Sequence, residues 1–86
     1  MILNIDHSNK SKRFLKKCDI SLTRRIMERI ERLAENPFPS DCKRVIDRKE
    51  KTFRIRVGDY RILYSVYKEK NLLFISDIDK RPRVFD

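Results

Sequence analysis

Residues 52–66 read TFRIRVGDYRILYSV, two runs of alternating apolar and polar residues around Gly58-Asp59. Glycine at the first central position suits a type II′ two-residue hairpin loop, because it accepts positive φ without steric cost. Such a loop fixes the register: Val57 faces Tyr60, Arg56 faces Arg61, Ile55 faces Ile62 and Arg54 faces Leu63. Side chains alternate between the faces of a strand. Phe53, Ile55, Val57, Tyr60, Ile62 and Tyr64 then share the core face, and Arg54, Arg56 and Arg61 share the other. Like charges directly opposed across two strands are unfavourable. Arg56 opposite Arg61 therefore calls for a partner. One solution is a polar face balanced by acids such as Asp77 or Asp79. The other is a phosphate cradle, because guanidinium forks stay charged and bind phosphate oxygens.

Upstream of the hairpin the period changes from two to 3.6. Leu22, Ile26, Ile30, Leu33 and Ala34 predict a helix over Ile20–Glu35, with Asp19 as its cap. Its opposite face carries Arg24, Arg25, Glu28, Arg29, Glu31, Arg32 and Glu35, with Glu28 and Arg32 at a favourable i,i+4 spacing. That face is expected to be simply solvated. Ser8 caps a shorter helix running to Cys18, with Phe14, Leu15 and Cys18 on one side. The opening MILNI reads as a strand. Two prolines in NPFPSD (36–41) end the second helix, and a short strand is expected at Val45–Ile46. Further strands are expected at Thr52–Val57, Tyr60–Tyr67 and Leu72–Ile78. The order β-α-α-β-β-β predicts one α+β domain over residues 1–86, an N-terminal strand and a helical hairpin followed by a twisted antiparallel sheet.

The chain of 86 residues has room for one core. Its 22 Lys and Arg against 13 Asp and Glu give a formal charge of +9. That balance favours an anionic partner: nucleic acid, ribosome, acidic membrane or acidic protein. No apolar run approaches the ~18 residues of a membrane span, and the N-terminus lacks the apolar stretch of a signal peptide. Cys18 and Cys42 give neither a disulfide framework nor a zinc-ligand spacing. A cytoplasmic setting without cofactor, metal or membrane is expected.

The motif FRIRVGDYRILYSV (53–66), followed by IDKRPRVF (78–85), resembles the RelE/ParE superfamily of toxins of toxin–antitoxin systems. The resemblance covers nearly the whole chain and implies a RelE-like fold of the order given above. RelE-type members cut messenger RNA in the ribosomal decoding site, using basic residues on the sheet. By motif, Arg54 and Arg56 stand where the family carries basic residues on the first hairpin strand. Arg61 matches the arginine of GDYR, and Lys80 and Arg81 match the basic pair after the last strand. These five are the implied catalytic set. Phe85 falls where the family often has a catalytic tyrosine; without a hydroxyl it moves no proton, and it either stacks on a base or seals the edge of the core. Arg83 and Phe85 are therefore assigned to substrate binding. The implied partners are a RelB-like antitoxin and mRNA on the ribosome.

Attack of an RNA 2′-oxygen on its neighbouring phosphate needs a base, an acid and stabilisation of developing charge. Arg54, Arg56, Arg61 and Arg81 suit the last task, but an arginine, with a pKa above ~12, is a poor base. Lys80 remains as the proton-transfer candidate, because neighbouring cations favour its neutral form. His7 lies near the first helix, far from this surface, and reads as a surface or capping residue. Asp77 and Asp79 form a D-x-D that suits magnesium in principle; beside arginines, ion pairing is the better expectation. Two alternatives stay open: a ParE-like inhibitor of DNA gyrase, which needs no catalytic groups, and a non-toxic RNA-binding module.

Overall fold

The computed structural model describes residues 2–46 and 48–80. β1 (Asn4–His7) leads through α1 (Asn9–Lys17) and α2 (Ile20–Glu35) to β2 (Lys43–Val45). The hairpin of β3 (Thr52–Val57) and β4 (Tyr60–Tyr67) follows, then a 3-10 turn at Lys68–Lys70 and β5 (Leu72–Lys80). The strands form one sheet in the order β1-β5-β4-β3-β2.

Both helices begin on side-chain caps. Ser8 Oγ accepts from the Ser11 amide at 3.1 Å, and Asp19 Oδ1 from the Leu22 amide at 2.8 Å. Each satisfies a donor that has no partner within the helix. α2 buries Ile26, Ile30, Leu33 and Ala34 against Ile55, Ile62, Tyr64, Leu73, Ile75 and Ile78 of the sheet. A fully buried Leu or Ile contributes about 1.5–3 kcal/mol, so this stripe fixes α2 to the hairpin. Tyr64 is fully buried, and its hydroxyl donates to the Pro37 carbonyl at 2.7 Å. That bond ties β4 to the proline segment that ends α2.

The hairpin has the expected register, with Arg56 opposite Arg61 and Val57 opposite Tyr60. Gly58 has a φ of 58° while Asp59 keeps a negative φ, the pattern of a type II′ turn. A second constraint acts on this glycine. A Cβ there would lie 3.0 Å from Arg25 Nη2, so α2 lays a guanidinium against the turn.

The edges of the sheet differ from the sequence expectation. β1 starts at Asn4, because the Leu3 amide bonds the Ala34 carbonyl at the end of α2. It pairs with β5 in parallel, Asn4 opposite Leu72, which makes the sheet mixed. The short strand expected at Val45–Ile46 runs instead over Lys43–Val45, where Arg44 faces Phe53; Ile46 is exposed. β5 continues beyond Ile78, because Arg61 and Tyr60 supply partners for Asp79 and Lys80.

A bulge interrupts the β4–β5 ladder. Leu63 faces Asp77 and Tyr64 faces Ile75, which leaves Ser76 as the extra residue. Ser76 Oγ donates to the Leu63 carbonyl at 3.2 Å, and the Ser76 carbonyl accepts from Ser8 Oγ at 2.8 Å. The inserted residue shifts the phase of the strand. Ile75 and Ile78, three apart, both enter the core, and Asp77 and Asp79 turn to the side of Leu63 and Arg61.

Candidate nucleic-acid interface

Alternation on β3 and β4 sends Arg54, Arg56 and Arg61 to the sheet face away from the helices. Arg61 is held by the opposite residue of β5: its Nε donates to Asp79 Oδ1 at 3.0 Å. The D-x-D pair thus supplies ion-pair partners. Asp77, 5% exposed, accepts from Lys10 Nζ on Oδ2 at 3.1 Å. Its other oxygen is buried without a hydrogen-bond partner among the described residues. Among those residues no group of three His, Cys, Asp or Glu converges as a metal site.

β2 covers only Thr52–Arg54 of β3, so Ile55–Val57 form an edge that no described strand pairs. Two depressions flank that edge. One, of about 310 Å³, brings Arg25, Arg29 and Arg32 of α2 to Arg56 and Gly58. The other, of about 240 Å³, brings Lys43 and Asp41 to Arg54 and Arg56. Arg29 Nη2 reaches both carboxylate oxygens of Asp41 at 2.7 Å, which joins the two depressions. The α2 face expected to be solvated therefore adds three cations, with Glu28 among them, to the hairpin edge. Its signal in the sequence is the spacing of Arg25, Arg29 and Arg32, four and then three residues apart on one helix face. Lys43 gave no such signal.

Lys80 closes β5 opposite Tyr60. Alternation puts it on the helix side of the sheet, across the strand from Arg61. The structure thus brings three of the expected residues together and sets Lys80 apart from them, on the opposite side of the sheet at the end of β5. Arg81, Arg83 and Phe85 lie outside the described residues.

His7 is remote from the arginine face. Its Nδ1 shares a 2.8 Å hydrogen bond with Ser11 Oγ. Burial pushes its pKa below the ordinary value, Lys12 acts in the same direction and Asp6 opposes. Tyr60 and Tyr64 pack as expected, Tyr60 edge-on to Phe14 with ring centroids 5.6 Å apart. Burial raises the Tyr64 pKa far above the ordinary phenol value, which leaves it a structural donor.

Residues 5–85 match the family model described as ParE toxin of type II toxin-antitoxin system, parDE. No curated protein gives a significant sequence match. Among solved structures, a chain of the archaeal RelE–RelB complex from Pyrococcus horikoshii matches with a TM-score of 0.81 at 24% identity. That match covers 96% of this chain and 99% of the other. The RelBE2 toxin–antitoxin complex from Mycobacterium tuberculosis gives 0.80 at 23% identity, covering 94% of this chain and 100% of that one. The isolated E. coli RelE toxin gives 0.78 at 17% identity, covering 94% and 86%. Identities this low establish a shared RelE fold. The family model, which spans nearly the entire sequence, establishes more: the chain belongs to the ParE toxin family of type II toxin–antitoxin systems, within the RelE/ParE superfamily.

Proposed function

We propose that this toxin is a ribosome-dependent mRNA endoribonuclease that needs no metal ion and is held inactive by a RelB-like antitoxin. The observation that carries this reading is the gathering of Arg54, Arg56 and Arg61 on one sheet face, with Arg56 directly opposite Arg61. Opposed guanidinium groups favour an anion shared between them, and a phosphodiester supplies one.

The chemistry uses the substrate's own hydroxyl. The 2′-oxygen attacks the adjoining phosphorus, its proton passes to a base, and the bond to the 5′-oxygen breaks as that oxygen takes up a proton. A 2′,3′-cyclic phosphate and a 5′-hydroxyl end result. Arg54, Arg56, Arg61 and Arg81 offset the charge that grows on the phosphoryl oxygens. Lys80, the last residue of β5 and on the helix side of the sheet, reaches around the strand's end to carry the proton, while Arg83 and Phe85 hold the neighbouring nucleotide. Asp79 competes with the phosphate for Arg61. Because that pair is partly exposed, exchanging one anion for the other costs little.

Gyrase inhibition without catalysis is the second reading, favoured by the match to a ParE rather than a RelE family model. Pulse-labelling of protein and DNA synthesis after induced expression separates the two: protein synthesis should fall first. Programmed ribosomes, kept assembled in excess EDTA, should then show mRNA cut to 5′-hydroxyl ends. A 2′-deoxy sugar at the cut position should resist. DNA synthesis stopping first would turn the assignment to gyrase. Cleavage that demands magnesium or leaves 5′-phosphates would overturn the mechanism.

A further inference from the structure

A second basic surface lies on the other side of the Arg61–Asp79 pair. α1 spans nine residues, NKSKRFLKK, with five cations and no acid. Lys12 and Lys16, and likewise Arg13 and Lys17, stand at i,i+4, where like charges destabilise a helix. Lys10, Arg13 and Lys17 fall on the helix face that also carries Phe14 and Cys18, spread over about 10 Å of axis. That face borders a groove of about 470 Å³ between α1 and the ends of β4 and β5. Phe14 and Tyr60 form its aromatic wall, with Ile78 beside them. Two acids touch the region, and both are engaged: Asp77 with Lys10 and Asp79 with Arg61.

We infer that this groove is a binding subsite for single-stranded RNA. One unpaired base stacks against the Phe14–Tyr60 wall, and flanking phosphates lie along Lys10, Arg13 and Lys17. Stacking on aromatic rings between cations that track the backbone is how single strands are held without sequence preference. The inference rests on the reading of the protein as one that acts on RNA, and it extends the strand's path past Arg61. Asp79 sits at the junction: it lines the groove and holds Arg61 at once. An acidic peptide satisfies the cations but leaves the aromatic wall without a planar partner. The strand is therefore the better occupant.

The test uses fluorescein-labelled 2′-O-methyl octauridylate, which lacks the attacking hydroxyl and so reports binding without cleavage. Anisotropy titrations compare the parent with the double variant Arg13→Gln/Lys17→Gln. A control, Arg24→Gln/Lys49→Gln, removes equal charge from exposed positions on α2 and between β2 and β3. The α1 variant should bind at least tenfold more weakly, and its log K against log salt should be shallower by about 1.4, roughly 0.7 for each phosphate no longer neutralised. The control should change affinity less than threefold. In a Tyr60→Trp variant, indole fluorescence should be quenched by the oligonucleotide and not by octaglutamate. Equal losses in the two double variants would overturn the subsite, as would octaglutamate or duplex RNA binding as tightly as the single strand. The outcome is independent of cleavage. A protein that leaves ribosomal mRNA intact yet binds through α1 loses the nuclease reading and keeps the subsite.

Discussion

The hairpin face and the outer face of α1 are both strongly basic, yet they hold their charge in different ways. On the hairpin, arginines project from paired strands, and Arg61 is oriented by Asp79 at 3.0 Å. The Arg61 fork is thereby held in place by the protein itself. On α1 four of the five cations are lysines, long and flexible, and an ion pair anchors Lys10, at its first turn, to Asp77. Such a surface attracts a polyanion from a distance but does not orient it. Under the proposed function and the α1 inference, the contrast assigns two tasks: capture to α1 and positioning to the hairpin.

The separation breaks first at Arg61. Arg61→Ala, and independently Arg81→Ala, should lower ribosomal mRNA cleavage by about 10²-fold or more, the cost of removing one donor aimed at developing charge. Growth arrest should be relieved at equal expression, with the unfolding midpoint little changed. If both variants stay as toxic as the parent, the hairpin does not position the reacting phosphate. Removing the backbone support should act next. Gly58→Ala places a Cβ against Arg25 at positive φ and should cost about 1–2 kcal/mol in urea unfolding. A neutral result would mean that the turn and α2 shift freely.

A smaller effect is expected where the two surfaces meet. Asp79→Asn should raise affinity for single-stranded RNA several-fold by releasing Arg61. The stability cost should stay below about 1 kcal/mol, because the pair is partly exposed. Affinity that falls instead would make Asp79 a positioning partner for Arg61 and not its competitor. The smallest effect belongs to His7, at the root of α1. Its folded pKa lies below the unfolded value near 6.5, so the unfolded chain takes up the proton first as pH falls. Stability should therefore rise with pH between the folded pKa and about 6.5, and level off above. His7→Gln should flatten that slope. An unchanged slope would place the titration elsewhere.

The hairpin and α2 were legible because each is fixed by local rules. Gly58-Asp59 determines a two-residue turn and hence every pair from Val57–Tyr60 to Phe53–Tyr64. Helical spacing from Leu22 to Ala34, bounded by Asp19 and Pro37, determines α2. β5 was less legible, because a bulge has no local signature in LLFISDIDK. Strict alternation would put Asp77 and Asp79 on the face of Leu73 and Ile75. Ser76 reverses that phase through bonds to Leu63 and Ser8, residues far away in sequence. The arginine face could be read from the hairpin alone. Its extension to Arg25, Arg29 and Arg32 depends on how α2 crosses the turn, which periodicity does not specify.

The position of β5 between β1 and β4 has a consequence for the order of folding. Ser8 and Ser76, which seal the bulge to the start of α1, are 68 residues apart. Closing so long a loop costs entropy before its contacts form, and contacts of this range slow folding. A polypeptide ending at residue 71 would own both helices and the hairpin, yet β1 would lack its neighbour and β4 would offer a bare edge. Arg61 would also lack the carboxylate that orients it. β5, between β1 and β4, thus acts as a latch. The arginine face of the hairpin becomes rigid in the same step that joins β1 to β5.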